Sequence, residues 1–285
     1  MKTYFRWISF LAVLALFGMS AAASAQDCSL SPTSVNLGQT LRLTCRAVVA
    51  SAKWNDRTIR MFEQPDGTFL GLMPVSVKDA PGPGSIAFLA KDGSTEATES
   101  FVVRSTKFPS ENVRLSPDIE ALRSTSEEIQ LLTNFRNEVS DTRFWHDPLS
   151  PPVDGCVTSP FGVKRLHSGK PTGEFHGGVD QRTPTGEEIR AIADGKIIFA
   201  QQFNVLGNAV GVDHGQGLGS MFLHMSKLAV VEGAVVKKGD VLGYAGSTGR
   251  STGPHLHWVL YANGVNVNPA QWVTLSACPR PAKKK

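Results

Sequence analysis

From Asp27 onward the apolar residues come in short runs, cut apart by turn-forming residues. Pro65-Asp66-Gly67, Pro81-Gly82-Pro83-Gly84, Lys91-Asp92-Gly93, Asp194-Gly195 and Asn263-Gly264 are the clearest breaks. Proline withholds a backbone donor, and glycine reaches backbone conformations closed to other residues. With 27 glycines and 17 prolines in 285 residues, the punctuation leaves room for short strands and little room for long helices. A mainly β protein is therefore expected.

Texture divides the chain into parts. Residues 26–106 alternate apolar and polar at Val35-Asn36-Leu37 and Leu41-Arg42-Leu43-Thr44-Cys45, with further runs at Ile86–Ala90 and Phe101-Val102-Val103. Strict alternation with frequent turns predicts a small β-sandwich-like N-terminal domain. Residues 107–152 differ. Ser116-Pro117-Asp118 reads as a helix start, with Asp118 and Glu120 near the positive helix end. Leu122, Ile129, Leu132 and Phe135 then follow mostly at helical spacing, broken near Thr125. The expectation is a helical connector of about 20 residues, ended by Pro148, Pro151 and Pro152. Residues 153–277 return to dense glycine and β-branched runs. Ile189–Ala193, Asp194-Gly195 and Lys196–Ala200 together read as a hairpin, and Ala209–Asp213, Met221–Met225 and His255–Tyr261 read as strands. An antiparallel β-sheet domain is predicted there.

The ends carry different signals. Lys2 and Arg6 precede an apolar run from Trp7 to about Met19, then Ala23-Ser24-Ala25. This is the pattern of a secretory signal over residues 1–25, with an apolar stretch short of the ~20 residues a span needs. No transmembrane segment is expected once it is removed. Residues 278–285 form a basic tail. The formal net charge of +4 comes from these two ends, and the body between them is slightly acidic. Without a basic stripe on a folded domain, no nucleic-acid partner is expected. Export makes disulfides permissible for Cys28, Cys45, Cys156 and Cys278. Four cysteines allow three pairings. Their positions favour Cys28 with Cys45 inside the N-terminal part and Cys156 with Cys278 across the ends of the C-terminal part.

All seven histidines lie between His146 and His257. On a strand, residues two apart share a face, so His255 and His257 address one site while Leu256 turns away. In His176-Gly177-Gly178-Val179-Asp180 the glycines argue against a helix and suit a tight turn that folds the carboxylate back to the imidazole. Two histidines and one carboxylate leave a fourth zinc position open, as in catalytic sites. His176, Asp180 and His257 make such a set, with one ion per domain. His224, in the apolar run Met221–Met225, is the available partner for acid–base work. His214 opens a glycine-rich turn and reads as structural, and His146 and His167 carry no readable signal.

His176-x-x-x-Asp180, then His224, then His255-x-His257 within Thr248–Trp258, resembles the LytM/lysostaphin-type zinc metallopeptidases. Ser159-Pro160-Phe161-Gly162, Ala191-x-Ala193-Asp194-Gly195 and Val212-Asp213-His214-Gly215 match as well, so the likeness covers about residues 153–273. The resemblance implies zinc on His176, Asp180 and His257. It implies His224 and His255 as catalytic histidines that do not bind the metal. It also implies an antiparallel sheet crossed by a substrate groove. Many members carry Tyr two residues before the second histidine, where this chain has Phe222. The two-part layout is similar to exported members from Gram-negative bacteria. The resemblance therefore implies an endopeptidase acting on peptidoglycan stem-peptide cross-links, at D-alanyl–diaminopimelate bonds in a periplasm, with pentaglycine bridges as the other enzymatic reading. A non-catalytic regulator of a cell-wall amidase and a wall-binding module are the rival classes. No helical H-E-x-x-H glutamate is present to serve as a base. The connector's length and placement would also let it lie across the groove.

Overall fold

A computed structural model describes residues 27–167 and 169–279, and there the short alternating runs are strands. The expected secretory signal and most of the basic tail lie outside the described residues. Among the described residues no helix is long and apolar enough to cross a membrane.

Residues 28–104 form two sheets. One runs Cys28–Ser31, Thr40–Cys45, Phe69–Pro74, Phe62–Glu63, and the other Ser34–Asn36, Thr95–Arg104, Gly82–Leu89, Ser51–Trp54, Arg57–Arg60. Alternation sends Leu41, Leu43, Ile86 and Phe88 inward, where they are fully buried with Trp54 set edge-on to Phe101. Cys28 and Cys45 are cross-strand partners and are disulfide-bonded.

The Phe69–Pro74 strand is buried on both faces. Met73 enters the sandwich core, while Leu70 and Leu72 enter a second core with Trp145, Trp258 and Phe222. Continuous apolar character is what a two-sided burial demands. Polar contacts fix the same junction. Asn263 Nδ2 donates to Leu72 O at 2.7 Å, and Gln271 bridges both backbone groups of Thr40 at 2.7 and 2.8 Å. Arg42 lies against the rings of Trp145 and Trp272.

The connector is not one helix. Its first part, Ser110–Val113, is a strand parallel to Lys164–His167. A short turn of helix, Pro117–Glu120, is followed by a separate helix, Ser126–Asn137. Thr125 explains the break: its hydroxyl accepts from Glu128 N while the Glu128 carboxylate accepts from Thr125 N, a capping box that begins a new helix. Leu131, Leu132 and Phe135 pack inward, whereas Ile129, expected on that face, is exposed.

The C-terminal sheet is antiparallel throughout. Its order is Val157–Ser159, Val179–Gln181, Leu256–Ala262, Leu218–Met225, Gly207–Gly215, Gly195–Phe203, Val235–Val236, with Val265–Val267 also on Leu256–Ala262. The hairpin expected at Asp194-Gly195 does not form. Glu188–Arg190 pairs with Val241–Tyr244 in another sheet, and Gly195–Phe203 pairs with Gly207–Gly215. Lys237 Nζ and Lys238 N, both at 2.8 Å, hold the Asp194 carboxylate, so this corner joins two sheets instead of reversing one. Cys156 and Cys278 are bonded across the ends of this region. One sheet face packs on the Trp258 core. The other is covered at one end by the Phe135 helix and left open at the other, which makes the groove.

Candidate metal centre

Three side chains converge at the floor of that groove. His176 Nε2 lies 3.1 Å from Asp180 Oδ1 and 2.9 Å from His257 Nδ1, and His257 Nδ1 lies 2.6 Å from Asp180 Oδ1. Three donor atoms from separate elements thus point at one another and could hold a metal ion. Asp180 and His257 are direct cross-strand partners, which fixes two of the three by sheet register alone. His176 follows the strand Lys170–Phe175 and is buried. Gly178 serves close approach here, not an unusual turn: a Cβ on it would collide with Trp258 O. The glycines were expected for their conformational freedom, and the structure uses their lack of a side chain.

The donor set fits zinc. His176 Nδ1–H donates to Pro160 O at 2.9 Å, which selects the tautomer with a lone pair on Nε2. Burial opposes ionisation of Asp180, but the His176 and His257 rings that crowd its Oδ1 outweigh it and hold the carboxyl well below the usual range. Burial also pushes His257 down, favouring the neutral ring that ligation requires. Two imidazoles and one carboxylate with an open side match a catalytic zinc site.

His224 and His255 stand beside this cluster. Their rings are 5.1 Å apart, and His255 Nε2 is 3.8 Å from Asp180 Oδ1. Each donates Nδ1–H to a carbonyl at 2.8 Å, His224 to Thr248 O and His255 to Gly253 O. Each therefore keeps an Nε2 lone pair. Burial, reinforced by His257 and His255, lowers His224 to about 3, so its ring is neutral at neutral pH.

His224 reaches the groove because the strand is irregular. Val210 opposes Phe222 and Asn208 opposes Met225, so three steps on one strand match two on its partner. This is a β-bulge, and His224 carries the extra turn at φ 61°. Phe222 and Met225 both face the Trp258 core, while Leu223 and His224 both line the groove. Regular alternation would have sent His224 inward with Phe222. Phe222 itself stacks on Trp258 in that core, so the family's tyrosine position here faces away from the groove.

Gly249 has a positive φ and packs so closely on Gly207 that a Cβ would collide with Gly207 N. This contact presses the Gly246–Pro254 loop against the sheet and places Thr248 O under His224. His214 is structural: Nδ1–H donates to Asp194 O at 2.8 Å and Ser220 Oγ donates to Nε2 at 2.7 Å. The groove has a volume of about 650 Å³ and is walled by connector residues Glu111–Leu115 as well as by Arg250 and His255. Arg165, 3.5 Å from Asp180 Oδ2, escaped the sequence reading because no local pattern joins it to the histidines.

Comparison with known proteins places this sheet in a family. The model of Peptidase family M23 matches residues 174–269. The DD-carboxypeptidase/endopeptidase Mpg of Neisseria meningitidis serogroup B is 43% identical over 121 residues, 42% of this chain and 28% of that one. The peptidoglycan DD-endopeptidase ShyA of Vibrio cholerae is 36% identical over 119 residues, 41% of this chain and 28% of that one. The match thus spans little more than a quarter of the length of these curated relatives. A crystal structure described as a peptidase M23 from Pseudomonas aeruginosa is 32% identical, with a TM-score of 0.61, and the alignment covers 78% of this chain and 86% of that one. Since that likeness runs through most of both chains and not only the histidine-bearing sheet, the protein belongs to peptidase family M23.

Proposed function

We propose that the protein is a zinc-dependent endopeptidase that hydrolyses peptide cross-links of bacterial peptidoglycan, at the D-alanyl–diaminopimelate bond. The observation that carries the reading is the convergence of His176 Nε2, Asp180 Oδ1 and His257 Nδ1 beneath an open groove, with two more histidines presenting Nε2 beside them. His176, Asp180 and His257 hold the ion, and His224 and His255 act on protons. Bound there, zinc would supply Lewis acidity to polarise the scissile amide and acidify the attacking water.

The chain's own residues do the rest. The groove lays an extended peptide over the metal position. Thr248 O and Gly253 O keep the His224 and His255 rings oriented, so neither must search for its geometry during the reaction. One of the two takes the proton from the attacking water. The other steadies the developing oxyanion or protonates the departing amine. The relatives' names support peptidoglycan as substrate, and the two disulfides support action outside the cytoplasm, in the periplasm.

The test is digestion of purified peptidoglycan by the zinc-loaded protein, with fragments identified by mass spectrometry beside a chelator control. Chelator-sensitive loss of cross-linked dimers is expected. Intact dimers from zinc-loaded protein would refute the endopeptidase reading.

A further inference from the structure

The connector touches the metal centre through a charged pair. Glu111 lies on the connector strand Ser110–Val113 and is the direct cross-strand partner of Arg165. Arg165 NH1 is 3.4 Å from Glu111 Oε2, and Arg165 NH2 is 3.5 Å from Asp180 Oδ2. Glu111 Oε2 also accepts from Ser159 Oγ at 2.8 Å, and Ser159 Oγ sits 3.4 Å from His176 Nδ1. One connector carboxylate therefore steadies the surroundings of two of the three ligands.

We propose that Arg165, backed by Glu111, is a positioning residue that holds Asp180 with a single oxygen directed at the metal. This rests on the zinc reading above. The two oxygens of Asp180 have different neighbours: Oδ1 faces His176 and His257, whereas Oδ2 faces the guanidinium. A carboxylate attached at only one oxygen rotates freely about its last bond. A planar guanidinium on the second oxygen resists that rotation, which a point-charge ammonium does less well. An arginine alone beside a dication would repel it. Glu111 offsets that charge, so the pair acts as a nearly neutral clamp. The connector would then do more than lie across the groove. Its strand supplies part of the support on which the metal site depends, and removing it would loosen Asp180.

The test compares full-length variants for zinc affinity, by competition with a chromophoric chelator, and for the visible spectrum of the cobalt(II)-substituted protein. Arg165→Gln is expected to weaken zinc binding about 10- to 100-fold, the usual effect of losing a group that orients a ligand, and to alter the cobalt spectrum. Arg165→Lys should recover part of the affinity. Glu111→Gln should weaken binding less than Arg165→Gln. Arg190→Gln, which removes a surface pair with Glu188, should change nothing. Thermal melting of the metal-free proteins separates clamp effects from misfolding. If Arg165→Gln does not fold, Glu111→Gln carries the test. Affinity within twofold of the parent, with an unchanged cobalt spectrum, would overturn the clamp. A parent protein that binds no zinc would instead overturn the metal reading itself, and the clamp with it.

Discussion

The sandwich at residues 28–104 and the histidine-bearing sheet use the same kind of short strand, yet they treat polar groups in opposite ways. Among the described residues the sandwich buries one polar side chain, Thr40. The histidine-bearing sheet and the turn leading into it bury His176, His214, His224, Asp213, Gln181 and Ser159. Burying such groups costs free energy unless each finds a partner. Most do: Gln181 accepts from Trp258 Nε1 at 2.7 Å and donates to Gly155 O, and His214 is held between Asp194 O and Ser220. The difference shows where the fold accepts a cost for chemistry. The sandwich is stabilised by apolar packing, and the histidine-bearing sheet by apolar packing together with partnered polar groups.

The contrast breaks most sharply at the histidines. His257→Ala should lose both bound zinc and turnover. His224→Ala should keep zinc while turnover falls about 10²- to 10⁴-fold, the usual contribution of a proton-transfer group. Zinc content by atomic emission, read beside peptidoglycan digestion, checks both. Loss of zinc from His224→Ala would remove its assignment as a group outside the ligand set.

The two disulfides compare the regions by chain length. Cys156–Cys278 closes a separation of 122 residues and Cys28–Cys45 one of 17. On loop-closure entropy the first contributes about 5 kcal/mol and the second about 3 kcal/mol. Paired Cys→Ser variants under guanidinium denaturation should rank in that order. The reverse order would show that local packing, not loop length, governs them.

A smaller effect concerns pH. Burial holds His214 at about 4, below the ~6.5 of an unfolded chain. As pH falls below the unfolded value the unfolded state takes up the proton first, so stability declines between about 6.5 and 4 and then levels. On this count the loss is about 3 kcal/mol. His214→Gln removes the titration and should flatten the slope of stability against pH in that window. An unchanged slope would assign the acid sensitivity to other groups.

Much of this was legible in order along the chain. The β class follows from turn spacing, and the pairing of His255 with His257 on one face follows from the period of a strand. Both features depend on near neighbours in sequence. The Phe69–Pro74 run carried a signal too, since apolar residues without alternation mark a strand buried on both sides, although the junction it makes was not expected. Thr125 and Glu128 likewise held a capping box that explains why one expected helix is two.

The sequence by itself determined which residue types could bind zinc, because the donor chemistry belongs to the side chains and their short spacings. Only the tertiary structure decided which atoms meet. Asp180 faces His257 because two distant strands share a register, and His224 enters the groove because a bulge reverses its direction. Arg165 finds Asp180 because the connector's Glu111 strand packs beside it. Each depends on contacts between segments far apart in the chain, and such contacts leave no periodic trace in local sequence.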